Sequence, residues 1–357
     1  MRIVSLVGNR PQFVKAAPLC TALRAQGEEI LVHSGQHYDP ELADLFFDEL
    51  GIPAPDHALE VGPGTPVQQM AVMMTRLEPI LDDVRPDALL VYGDTTTTLA
   101  GALTAAKMDV PLAHVEAGLR SFDMRMPEEQ NRVVTDHLSD VLLCPTQVAV
   151  DNLAAEGITQ RVHLVGDVMY DACRAFAPLA ERQPGPEARG LVPGEYALVT
   201  IHRAAATDTP EALDAMVQVL TSLGRPAVFP VHPRTRAKLE AGGRWDELQQ
   251  VPGLIMAPPA GYLDFTCLLM KAGVVVTDSG GVQKEAYFHG VPCVTLRDTT
   301  EWVETVQGGF NTLTGMDAAK VQAALADLSM PAERPPYYGD GHAAEAIARA
   351  VVAELGG

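Results

Sequence analysis

The chain has 357 residues, 47% of them hydrophobic, and a formal net charge of −20. At ~100–200 residues per domain this length argues for two domains, each able to bury its own core. The apolar residues never run to the ~18 that a membrane span needs, and an acidic chain without a clustered basic surface is not a nucleic-acid binder.

The N-terminus MRIVSLVGNRP has one basic residue, a short apolar run and then a polar turn. It reads as a buried strand, not a signal peptide. Apolar runs of strand length follow in IVSLV, EEILVH, ALLVY, VPLAHV and DVLLC, each with turn chemistry and an amphipathic stretch behind it. That alternation is the mark of βαβ units and a parallel sheet covered on both faces. After the Pro/Gly-rich QPGPEARGLVPGEY the pattern restarts with ALVTI, AVFPV, GLIMA, GVVVT and PCVTL. The expected architecture is therefore α/β, two Rossmann-like doubly wound domains with a central cleft between them. The division is placed near Asp171, giving domains 1–170 and 171–340 and a terminal helix over 341–357. The linker is expected between Val168 and Tyr196, the alternative being that the Pro/Gly-rich stretch is a surface loop of the second domain with the hinge nearer Gly166. Cys20, Cys144, Cys173, Cys267 and Cys293 are odd in number and scattered through apolar segments. They give neither a disulfide framework nor a zinc spacing, and the expected compartment is the cytoplasm.

Chemistry belongs at the strand-to-helix turns, because ligands of open α/β sheets bind beyond the carboxyl ends of the strands. In GNRPQFVKAAPL, Arg10 and Lys15 flank a helix N-terminus that suits an anion, and equally they are solvated surface charges. No GxGxxG fingerprint is present. GDTTTTLA places Asp94 after a strand, where an N-cap is its commonest role. HVEAGLRSFDMRMPEEQNR places Glu116 after another strand, and Glu128 beside Glu129 at a helix start, where acids commonly complement the dipole. Three carboxylates on one rim are harder to explain as structure alone. In the second half, His202 and Arg203 follow ALVTI. VVVTDSGGVQKEA then puts Ser279, Gly280 and Gly281 before a helix bearing Glu285, a turn whose missing side chains let a diphosphate reach backbone amides. His33 with His37, and His114 with Glu116, lack the further ligands of a metal site, and no metal is expected.

With these residues the sequence resembles the non-hydrolysing UDP-N-acetylglucosamine 2-epimerases through GNRPQFVKAAPL, GDTTTTLA, HVEAGLR, PEEQNR, TIHR, TDSGGVQKEA and RDTTE. The likeness runs nearly end to end. It implies the glycosyltransferase-B type of fold, a homodimer, a last helix packed back on the first domain, and no cofactor. UDP would be held by the second domain, with Phe265 near the uracil, Ser279, Gly280 and Gly281 on phosphate and Glu285 on ribose. Asp94, Glu116, Glu128 and His202 take the family's catalytic positions, and Arg10 and Lys15 line its ligand cleft. The implied reaction eliminates UDP to a 2-acetamidoglucal and adds it back with the C2 proton delivered to the other face, giving UDP-N-acetylmannosamine.

Three departures stand out. Ala204, Ala205 and Ala206 follow the HR pair where the family commonly has a Glu. Trp302 replaces an arginine that can contact nucleotide. QHYDPELADLFF differs from the pattern of members activated by a second substrate molecule, and looks closer to relatives acting on diacetamido sugars. The competing expectations are thus a 2-epimerase of a UDP-2,3-diacetamido uronic acid, a hydrolysing epimerase, a glycosyltransferase, and a UDP-sugar binding protein impaired in catalysis.

Overall fold

The computed structural model describes residues 1–35 and 50–356; QHYDPELADLFF, with His37, lies outside the described residues. The chain divides into two compact units, Met1–Ala175 with Pro336–Gly357, and Phe176–Pro335.

The first unit is built on β1 (Arg2–Val7), α1 (Arg10–Arg24), β2 (Glu28–His33), β3 (His57–Ala58), α2 (Pro66–Val84), β4 (Ala88–Tyr92), α3 (Thr96–Met108), β5 (Leu112–Val115), α4 (Pro127–Leu138), β6 (Val141–Cys144), α5 (Gln147–Ala155) and β7 (Val162–Leu164). Its seven strands lie in the order β3-β2-β1-β4-β5-β6-β7, every described pairing parallel. Five of them are the apolar runs of the sequence. β3 and β7 are two- and three-residue edge strands, too short and too exposed to leave a hydrophobic pattern. On one face Val4, Leu6, Leu89 and Val91 pack against Met73, Leu77 and Leu81 of α2, each such side chain contributing about 1.5–3 kcal/mol by leaving water.

Helix α6 (Val168–Ala180) runs from the first unit into the second. The second unit continues with β8 (Ala197–Thr200), α7 (Ala204–Thr207), α8 (Pro210–Thr221), β9 (Ala227–Pro230), α9 (Pro233–Ala241), α10 (Trp245–Gln249), β10 (Leu254–Ala257), α11 (Tyr262–Met270), β11 (Val274–Thr277), α12 (Gly280–His289), β12 (Cys293–Thr295), α13 (Val303–Gln307), β13 (Asn311–Leu313) and α14 (Ala318–Ala326). The strand order is β10-β9-β8-β11-β12-β13. Alternate residues of each strand enter different cores. Val199, Phe229, Val274, Val276 and Val294 join one cluster, while Leu198, Val228, Val275 and Cys293 join the other. A strand with both faces covered must distribute its side chains in this way. The Pro/Gly-rich stretch falls inside this unit and includes a 3-10 turn over Pro186–Arg189.

The chain then returns to the first unit, where α15 (Ala343–Leu355) packs on α1. Asp171 of α6 caps it, accepting from the backbone N–H of Ala343 at 3.1 Å and of Ala344 at 2.7 Å.

Each unit also buries a histidine whose proton affinity falls. Burial lowers His33 to about 4, and burial with the nearby Arg334 lowers His289 to about 4. An unfolded histidine takes up its proton near pH 6.5, the folded one only near 4. Between those values the unfolded chain binds more protons, so stability falls as pH falls, by up to ~1.4 kcal/mol per unit for each group. Urea midpoints are therefore expected to drop between pH 6.5 and 5, and His33→Gln or His289→Gln to flatten the slope.

Candidate active site

Both sheets change direction beside their first strand, between β1 and β4 and between β8 and β11. The carboxyl ends of these strands carry most of the residues singled out in the sequence, as the topological switch point of a doubly wound sheet requires.

In the first unit Asn9 caps α1, its side chain accepting from Gln12 N–H. Arg10 opens the helix, and its side chain lies outside the described residues. One turn on, Lys15 forms an ion pair with Glu116. Asp94 follows β4 but is not the N-cap of α3. Thr95 holds that place, in a capping box with Thr98, which leaves the Asp94 carboxylate for other work. It is 3.2 Å from Arg132 Nη2 and keeps 34% of its side chain open. Crowding by protein raises its carboxyl above the ordinary value, against the pull of Arg132 and then Lys15, with the charges of Glu116 and Glu128 adding to the rise. Asp94, Lys15, Glu116 and Glu128 thus act on one another within this unit.

Glu116 has φ +67, a left-handed conformation that costs a non-glycine residue on the order of 1–3 kcal/mol and collects at functional sites. It is held there by Leu143 O, which accepts from the N–H groups of both Glu116 and Ala117 at 3.1 and 3.2 Å. The adjoining Gly93 leaves its carboxylate room, since a Cβ there would lie 3.2 Å from Glu116 Oε2.

Glu128 and Glu129 both lie in the first turn of α4 but part company. Glu129 is 1% exposed and accepts from Ser121 N–H, Ser121 O–H and Phe122 N–H at 2.8–2.9 Å. It fixes a loop whose Phe122 has φ +58. Glu128 is the half-buried member of the pair, within electrostatic reach of Asp94.

Sequence reasoning passed over the residues that hold these carboxylates. Arg132 bridges Asp94 and Glu129, the latter at 3.1 Å. Asn131 Nδ2 donates to the Asp94 carbonyl at 2.8 Å. Gln12 ties the turns together, accepting from Gly8 N–H at 2.7 Å and donating to Tyr92 O at 2.7 Å. Gln12 stands inside GNRPQFVKAAPL and Asn131 and Arg132 inside PEEQNR, and that membership was their only sequence signal.

In the second unit His202 is aligned by Asp278, which stands inside TDSGGVQKEA but takes no role from the sequence alone. Asp278 Oδ2 accepts from the backbone N–H of His202 at 2.9 Å and of Arg203 at 2.8 Å, while Oδ1 lies 3.4 Å from His202 Nδ1. Ser279 caps α12, and Gly280 and Gly281 form its first turn. Neither glycine has positive φ. A Cβ at Gly281 would meet nothing within 4 Å, and at Gly280 nothing nearer than Trp302 Nε1 at 3.5 Å. The protein itself does not require glycine here, so the vacant positions suit close approach from outside to the unpaired N–H groups of the first turn. Glu285 is buried one turn further on, and Phe265 on α11 packs partly against the core.

The departures also find places. Ala204, Ala205 and Ala206 form the short α7, beside which Arg234 donates to His202 O at 3.3 Å and to Asp208 at 2.6 Å. Trp302 is 5% exposed, with the Lys284 ammonium 4.1 Å from its ring centre, an attraction between cation and aromatic face.

A sequence profile described as UDP-N-acetylglucosamine 2-epimerase matches residues 21–352. The UDP-2,3-diacetamido-2,3-dideoxy-D-glucuronate 2-epimerase of Pseudomonas aeruginosa is 45% identical over 360 residues, covering 98% of each chain. A UDP-N-acetylglucosamine 2-epimerase homolog of Methanococcus maripaludis is 45% identical over 350 residues, covering 97% of this chain and 98% of its own. The crystal structure of the Methanocaldococcus jannaschii UDP-GlcNAc 2-epimerase in complex with UDP-GlcNAc and UDP superposes with a TM-score of 0.93 at 38% identity, covering 99% of this chain and 100% of that one. Matched over nearly its whole length by the family profile and by these relatives, the chain belongs to the UDP-N-acetylglucosamine 2-epimerase family.

Proposed function

We propose that the protein interconverts UDP-N-acetylglucosamine and UDP-N-acetylmannosamine by eliminating UDP and adding it back to the 2-acetamidoglucal. The observation that carries this reading is the set of Asp94, Glu116 and Glu128 gathered with Lys15 and Arg132 beyond β4 and β5.

A sugar C2 hydrogen is a poor acid until the C1–O bond to UDP begins to break and positive charge develops at the ring. The protein must therefore stabilise a departing diphosphate and present a base together. The glycine turn at the start of α12, with His202 and Arg203 beside it, suits the first task. The carboxylates suit the second, because unlike surroundings separate their proton affinities. Lys15 favours the ionised form of Glu116, whereas crowding favours the protonated form of Asp94. One carboxyl can then take the proton on one face of C2 while the other returns one to the opposite face. In this reading Glu285 receives the ribose, Phe265 the uracil, and Arg10 lines the ligand site.

Proton NMR of UDP-N-acetylglucosamine with the protein in heavy water tests the reaction. Deuterium at C2 with a manno product is the expected result; release of free N-acetylmannosamine indicates hydrolysis instead, and tight UDP binding without exchange indicates a binding protein. The 45% identity to the Pseudomonas aeruginosa enzyme favours a second reading, the same inversion on a 2,3-diacetamido uronate. Comparing kcat/KM for the two sugars decides between them.

A further inference from the structure

β5 carries a histidine that the proposed chemistry leaves unused. His114 has no solvent exposure. Its Nε2 lies 2.7 Å from the Gly93 carbonyl oxygen and its Nδ1 2.7 Å from Asp136 Oδ1 on α4. A carbonyl oxygen only accepts, so Nε2 must bear a hydrogen.

The state of Nδ1 is decided by its partner. Asp136 Oδ2 accepts from Arg120 Nη1 at 2.6 Å and from Gly118 N–H at 3.1 Å. The Arg120 guanidinium and the Gly118 N–H have only hydrogens to give, and a guanidinium at 2.6 Å favours the ionised carboxylate. An ionised carboxylate has no hydrogen to give, so Nδ1 donates as well. We infer that His114 is a doubly protonated imidazolium, a buried positioning residue that clamps the Gly93 carbonyl and so fixes the turn carrying Asp94.

The charges around it balance. Asp136 faces it from α4. Behind Asp136, Arg120 makes a two-point contact with Glu156 at 2.6 and 2.8 Å. Cys144 on β6 is kept neutral, burial pushing its thiol up. Two cations thus meet two anions, the condition for keeping charge inside a protein. Gly93 is gripped at both of its backbone groups, since its N–H donates to Val115 O at 2.9 Å while its carbonyl accepts from His114. Asn131 then holds the Asp94 carbonyl. A neutral side chain at position 114 can supply one of these donors but not the charge-assisted pair.

Only the catalytic consequence rests on the proposed function; the protonation state does not. The test is nitrogen-15 NMR of the full chain labelled at histidine, at neutral pH, with His114 assigned by through-bond correlation from its own backbone amide. Hydrogens on both ring nitrogens are expected, and an Nδ1 without one overturns the inference even if no variant folds. For the positioning role, His114→Gln is expected to lower kcat about 10- to 100-fold through misplacement of Asp94, with KM and UDP affinity changed less than threefold. His114→Leu, which offers Gly93 no donor, is expected to lose more. Wild-type kcat in both variants refutes the clamp. A wild-type protein with the imidazolium but no C2 exchange refutes the proposed reaction instead.

Discussion

Glu116→Gln is expected to lower turnover on the order of 1,000-fold, while UDP affinity and the melting temperature stay near wild type. The substitution keeps the size of the side chain and removes its charge, so the room beside Gly93 remains filled. What is lost is the carboxylate that Lys15 favours, and in its place an amide N–H₂ or carbonyl must face the ammonium. The φ of +67 at this position is strained for a residue other than glycine, and strain of that kind collects where geometry serves a site. The measurement is C2 deuterium exchange with calorimetric titration of UDP. Exchange within threefold of wild type, in a folded variant that binds UDP, removes Glu116 from the catalytic set; the same assay applied to Asp94→Asn, Glu128→Gln and His202→Ala tests the others.

Gly118→Ala is expected to destabilise the first unit by about 3–4 kcal/mol. Gly118 has φ +79, and a Cβ there would lie 2.3 Å from the Ala149 carbonyl oxygen and 2.8 Å from its carbon. The obstacle is backbone of α5, not a flexible side chain that can swing aside. The same glycine donates its N–H to Asp136 and accepts from Asn152 Nδ2 at 3.0 Å, so a shift of the turn disturbs the buried charge cluster too. At roughly 2–4 °C per kcal/mol for a unit of this size, calorimetry should record a fall near 10 °C. A loss under 1 kcal/mol contradicts the packing described for this turn.

These two substitutions show what could be read from the sequence and what could not. The strands were legible because a strand covered on both faces must be an apolar run, as in ALLVY and GVVVT. The position of Asp94 and Glu116 at strand ends followed from the same pattern. The division of labour between Glu128 and Glu129 did not, because adjacent acids at a helix start look alike until one is seen bonded to Ser121 and Phe122. Asp94 was open to an N-cap role because any short polar residue can cap; only the bond between Thr95 and the Thr98 N–H settles the cap. His114 was weighed as a metal ligand beside Glu116, whereas its partners, Asp136 and Gly93, stand 22 and 21 positions away. Long-range partners of buried polar groups carry no local periodicity, so Asp136 stood outside every motif, and Arg132 and Asp278, though inside PEEQNR and TDSGGVQKEA, showed no sign of the partners they hold.

The return of α15 to α1 makes the second unit an insert within the first. Domains generally fold during synthesis in the order in which they leave the ribosome, and here the last element of the first unit is translated after the whole of the second. Residues 176–335 can complete their sheet while the amino-terminal half still lacks the helix that seals it. The α1 surface stays uncovered until Ala343–Leu355 has been translated, and during this interval it is open to chaperones and to misassembly.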